Sequence, residues 1–138
     1  MPRWKKLGQL YDPPQRPDRH AKLLSHAANP LPVWLEGDVY RIFYSGRDAQ
    51  KRSSVGAVDI NLRSLEIVRD HSEPFFEHGS DGSFYADGVS IGNCYRAADG
   101  QDYILFMAWQ VPKDAHWRGD VGRLRLTADK TIELAEDA

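Results

Sequence analysis

Arg47 and Asp48 stand side by side at the end of the aromatic-rich run "VYRIFYSG" and just ahead of "AQKRSSVGAVDI". A guanidinium next to a carboxyl lowers its pKa and keeps it ionised. Such a carboxylate suits charge stabilisation better than proton donation. The pair is either a solvated ion pair at a hairpin tip, worth ~0–1 kcal/mol, or the rim of a site built from strand ends. Arg52 can join either arrangement. A second carboxylate, Asp87, lies in "FYADGVS" beside Gly88, where the pair either makes a turn or lets a ligand approach the backbone closely. Other chemistries lack their patterns. "DGSFYADG" has no calcium-loop spacing, and the five histidines and Cys94 have no zinc spacing. There is no phosphate cradle or nucleophile elbow. Neither a metal nor a cofactor is expected.

Short strands must position these groups. From Asn29 onward, glycine, proline and Asp-Gly pairs punctuate runs rich in Val, Ile, Tyr and Phe, which is a strand-and-turn pattern. The runs also repeat. "DVYRIFYSG" lies on "QDYILFMAW", placing Tyr40 against Tyr103 and Phe43 against Phe106; "SVGAVDI" lies on "DVGRLRL", placing Gly56 against Gly122. "SLEIV" lies on "TIELA", and "NPLPV" lies opposite "DGVSI". Four segments in one order, about 60 residues apart, describe two copies of a four-stranded unit, the pattern of propeller blades with lengthened loops. Residues 103–109 are apolar on both alternate sets, so this strand is expected to be covered on both faces. The fold expected is all-β and propeller-type, with two four-stranded antiparallel blades; a β-sandwich is the alternative. Residues 1–25 form an N-terminal strand and a proline-rich lead-in, 26–75 the first blade and 76–138 the second.

The 138 residues suffice for one domain, with ordinary globular composition and a formal charge of −2. Scattered basic residues argue against nucleic acid. No apolar run approaches the ~20 residues that span a bilayer. The first residues lack the features of a secretory signal, and one cysteine fits a reducing compartment, so a cytoplasmic location is expected.

The ordered set "WKKLG", "HAANPLP", "YRIFYSGRD…RSSVGAVDI" and "GSDGSFYADGVS" resembles the five-bladed β-propeller glycosidase-like proteins, relatives of the arabinanase/β-xylosidase and invertase/levanase clans. The resemblance runs from the start to about Trp109 and implies a protein acting on a glycan or glycoside. Five blades are needed and two are present, which would leave apolar blade faces open. Missing blades from another chain or a homo-oligomer are therefore expected to cover them.

The resemblance implies roles for individual residues. Asp87 is the best candidate for a base, nucleophile or cation stabiliser; Asp48 is the second catalytic candidate, for stabilising charge or gripping hydroxyls with Arg47 and Arg52. Asn29 aligns with Asp87 in the repeat, so both are expected to face one funnel. An amide there can orient a sugar hydroxyl but cannot act as base. His26 is a candidate substrate contact or a structural histidine. Trp109 is a sugar-stacking platform or a packing residue. Glycosidases need a second, protonated carboxyl; Glu73 and Glu77 lie in the link "HSEPFFEHG", a poor place for desolvation. The alternatives are a non-catalytic sugar-binding or assembly module and a truncated, inactive propeller fragment.

Overall fold

The computed structural model describes residues 1–135. The first meander comprises β1 (Ser25–Glu36), β2 (Val39–Arg47), β3 (Ser53–Asn61) and β4 (Glu66–Asp70); the second comprises β5 (Gly88–Arg96), β6 (Asp102–Gln110), β7 (Arg118–Leu126) and β8 (Ile132–Leu134). Strands within a meander pair antiparallel in chain order. A single parallel bridge, Ser53 to Gly88, joins the two into one open sheet. The first hairpins of both meanders turn through glycines with positive φ, Gly37 (50°) and Gly100 (82°), a conformation that side chains with a Cβ resist. Among the described residues the only helix is a 3-10 turn, Pro13–Gln15, and no helix is long and apolar enough to cross a membrane. The chain is all-β.

The repeat is present, with one correction of register. Tyr44 pairs with Gly56 and Phe106 with Gly122. In each case the ring lies over the glycine: a Cβ on Gly56 would sit 2.6 Å from Tyr44 Cζ, and one on Gly122 would sit 2.2 Å from Phe106 Cζ. The glycines therefore match as expected, but the counterpart of Phe106 is Tyr44 and not Phe43. A shift of one residue in a strand changes the face that every side chain occupies. Ile42, Tyr44, Val58 and Ile60 thus correspond to Ile104, Phe106, Leu124 and Leu126. The same register removes the match of Asn29 with Asp87. Ser25 pairs with Arg47, and Gly88 with Trp109; the position of Asp87 corresponds to Leu24.

The core lies between the meanders, with Phe43, Val55 and Ala57 of the first against Val89, Ile91, Ile104 and Phe106 of the second. Each fully buried large apolar side chain contributes about 1.5–3 kcal/mol. The connection 71–87, whose first part "HSEPFFEHG" is expected to be only a link, inserts aromatic rings. Phe75 meets Phe43 edge-on, and Phe76, Phe84 and Tyr85 surround Phe106. The strand covered on both faces is β3, buried from Ser53 to Ile60, and not β6. In β6, Ile104, Phe106 and Ala108 are buried while Leu105 and Met107 are exposed, because nothing among the described residues covers that side.

Buried polar groups tie the parts together. Arg41 grips Asp59 through two bonds of 2.9 and 3.1 Å, and Asp59 meets His71 Nε2 at 2.9 Å. Arg41 also donates to the Lys130 carbonyl in the β7–β8 turn, so the cluster spans both meanders. Burial works to raise the Asp59 pKa, but the bonds from Arg41 and His71 outweigh it and hold the carboxyl below its ordinary value. The lead-in is pinned by Tyr11 and Arg16 on Asp70 and by Arg19 on the Tyr44 hydroxyl. Burial, followed by the Tyr44 contact, raises the Tyr11 pKa. Residues 3–11, expected as a strand, form none.

Candidate functional site

Five strand-to-strand pairings in succession, Ser25 to Arg47 to Ser53 to Gly88 to Trp109 to Gly119, run across one end of both meanders. The ends of β2 and β6 and the starts of β1, β3, β5 and β7 all meet this row. It brings His26, Arg47, Arg52, Asp87 and Trp109 to a common rim. Two strand spacings separate Arg47 from Gly88, on the order of 10 Å, and Asp87 is the next residue. Arg47 and Trp109 occupy equivalent positions in the two meanders.

Asp48 does not pair with Arg47. Its Oδ1 accepts the backbone N–H groups of Gln50 and Arg52 at 2.9 and 2.8 Å, and its Oδ2 accepts Arg52 Nε at 2.8 Å. The side chain closes the β2–β3 turn, as Asx turns do. Burial opposes ionisation here, yet the Arg52 amide and guanidinium prevail and hold the carboxyl below its ordinary value. The side chain is 5% exposed, so Asp48 is a turn anchor with both carboxyl oxygens hydrogen-bonded. Among the described residues the Arg47 guanidinium has no side-chain partner and is half-buried.

Asp87 presents a different picture. Its amide donates to the Trp109 carbonyl and its Oδ2 accepts the Val111 amide at 2.6 Å. Its second oxygen has no hydrogen-bond partner among the described residues. This side chain lines a cleft of about 550 Å³ with Asp81, Gln110, Val111, Pro112 and Lys113. Gln110 Nε2 donates to the carbonyls of Gly82 and Ser83, fastening the 79–87 loop to the end of β6. Asp81 and Lys113 were not singled out from sequence; the only signal was the pair of Asp-Gly steps at 81–82 and 87–88, bracketing two aromatics. Gly88 serves Trp109 and not an approaching ligand: a Cβ there would lie 2.3 Å from the indole ring.

His26 and Asn29 are exposed residues of β1 with φ of 65° and 52°. A positive φ is uncommon for residues other than glycine and marks a local bend in the strand. The ring of His26 bonds Ser25 Oγ at 2.8 Å. Asn29 Nδ2 donates to Ser90 Oγ at 2.5 Å, so it faces β5, three residues deeper than Asp87. Glu73 contacts His20 at 3.5 Å, and Glu77 pairs with Lys22 at 2.8 Å. The Lys22 bond holds Glu77 below its ordinary value, opposite to what a general acid requires. Among the described residues no group of three His, Cys, Asp or Glu side chains is arranged to hold a metal.

No protein-family model matches the chain, and no solved structure matches it. Two curated proteins of Mycobacterium tuberculosis do, both named as uncharacterized proteins: MT1551 of strain CDC 1551 / Oshkosh and Rv1502 of strain ATCC 25618 / H37Rv. Each is 38% identical over 120 residues, which make up 86% of this chain and 39% of the relative. The chain thus spans well under half the length of the relatives it matches.

Proposed function

We propose that the two meanders are blades of a propeller-type, carbohydrate-active protein, and that this chain supplies the part of its site that grips a glycan or glycoside. The observation behind this reading is the strand-end row that carries Arg47 and Trp109 and adjoins Asp87, which lines an open cleft. A cation, a carboxylate with a free oxygen and an indole suit hydroxyl-rich ligands, which offer donors, acceptors and apolar C–H faces. Asp87 is the residue for the base or charge-stabilising role. A general acid would come from outside this chain, from further blades of a longer polypeptide or of an associated one. Two units matching 39% of the relatives' length accord with about five units in all. The exposed Leu105, Met107 and Val121 offer a face for the next unit.

The non-catalytic sugar-binding module is the second reading. Its support is that Asp48 and Glu77 are both held ionised in structural contacts, so neither is available as a proton donor. Glycan-array binding together with turnover of a panel of aryl glycosides separates the two. Turnover lost in Asp87→Asn supports the enzyme; saturable binding without turnover, weakened by Trp109→Ala, supports the module. Neither binding nor turnover ends the carbohydrate proposal.

A further inference from the structure

His78 sits in the connection between the meanders, and its side chain is 7% exposed. Its backbone N–H donates to Ser54 Oγ at 3.0 Å, and its Nδ1 lies 3.1 Å from the Gly79 carbonyl oxygen. A carbonyl only accepts, so Nδ1 carries a proton. Nε2 is buried from solvent and makes no hydrogen bond. The charged atom it faces is Asp48 Oδ2, 3.7 Å away. In the neutral ring Nε2 is then a bare lone pair directed at a carboxylate: two acceptors face each other with no donor between them. Protonation places an N–H there, and the orphan becomes a charge-assisted contact to an oxygen already bonded to Arg52.

We propose that His78 and Asp48 form a proton-operated latch, in which the cationic imidazole holds residues 77–80 of the 71–87 connection against the β2–β3 turn and the neutral one releases them. Histidine is the side chain whose charge ordinarily changes between pH 5 and 8. The charged groups around the ring are Asp48 and Arg52 from the β2–β3 turn and Glu77 beside it. Lys22 and His20 of the lead-in face Glu77 in turn. The latch adjoins the rim: Arg52 precedes Ser53, whose bridge partner Gly88 follows Asp87. It does not depend on the ligand being a sugar.

Nitrogen-15 spectra of the imidazole give one test. The neutral ring at pH 8 should be the Nδ1–H tautomer, with both nitrogens protonated at pH 5.5; an Nε2–H tautomer at pH 8 overturns the proposal, because that ring would hold the latch without a charge. Amide exchange gives the other. After correction for the intrinsic pH dependence of exchange, residues 77–80 should be protected at least fivefold more at pH 5.5 than at pH 8. In His78→Gln the amide nitrogen stands in for Nε2–H at every pH, so the difference should vanish. Equal protection at both pH values in the native protein, or a pH difference that persists in the folded glutamine variant, refutes the latch.

Discussion

Replacing Arg41 by methionine keeps the bulk of the side chain and removes its charge from the Asp59 carboxylate. Asp59 is 7% exposed on its side chain and draws two of its three side-chain hydrogen bonds from Arg41. Removing one member of a buried ion pair costs about 3–5 kcal/mol, because the remaining charge stays desolvated. The bond to the Lys130 carbonyl is lost as well, at about 1 kcal/mol. So is the placement of the guanidinium 5.0 Å from the Phe75 ring centre. His71 stays in contact with Asp59 and retains part of the stabilisation, so the expected loss is about 4 kcal/mol. That is a large fraction of the ~5–15 kcal/mol typical of a domain. Urea unfolding followed by tryptophan fluorescence measures it, with an unchanged slope required for comparison. The double variant Arg41→Met with Asp59→Asn should recover at least ~2 kcal/mol relative to the sum of the single losses. A loss below about 1 kcal/mol in Arg41→Met, or strict additivity, would show that Arg41 does not neutralise Asp59.

The two depressed carboxyls set a pH dependence. Asp48 and Asp59 have folded pKa values below the unfolded one, so their stabilisation is complete above roughly pH 5 and fades as pH falls through the folded values. The urea midpoint should drop between pH 5 and pH 2, and drop less in Asp59→Asn. Gly122→Ala should cost about 1–3 kcal/mol, since its Cβ strikes the Phe106 ring; the double variant with Phe106→Leu should cost less than the two separate losses, and a neutral Gly122→Ala would contradict the ring-over-glycine register. Asp48→Ala should lower thermal stability while leaving glycan affinity unchanged, whereas Trp109→Ala should weaken binding by about tenfold, or ~1.4 kcal/mol; titration calorimetry on both variants distinguishes turn anchor from binding residue.

Much of the strand layout was legible before any coordinates. β-branched and aromatic runs cut by glycine and Asp-Gly steps placed the strands of both meanders, since those residues suit a pleated, half-buried surface and turns need a positive φ. The repetition of those runs showed that candidates separated in the chain would return to strand ends. What sequence could not supply was the choice of neighbour. Arg47 and Asp48 are adjacent, and adjacent residues on an extended chain point to opposite faces. The side chain that reaches Asp48 is therefore Arg52, brought back by the turn. The apolar sets of β6 look alike in sequence, and only packing decided that Phe106 is buried while Leu105 and Met107 are not. The one-residue shift that matches Phe106 with Tyr44 follows from the ring-on-glycine contact in each meander.

The amino-acid order alone thus determined an all-β chain of two similar four-stranded units, because alternation and turn chemistry are local properties. The tertiary structure decided which carboxylate keeps an unbonded oxygen at the strand ends, which is spent closing a turn and which buried histidine nitrogen is left without a hydrogen bond, because those outcomes depend on contacts that the order of residues does not display.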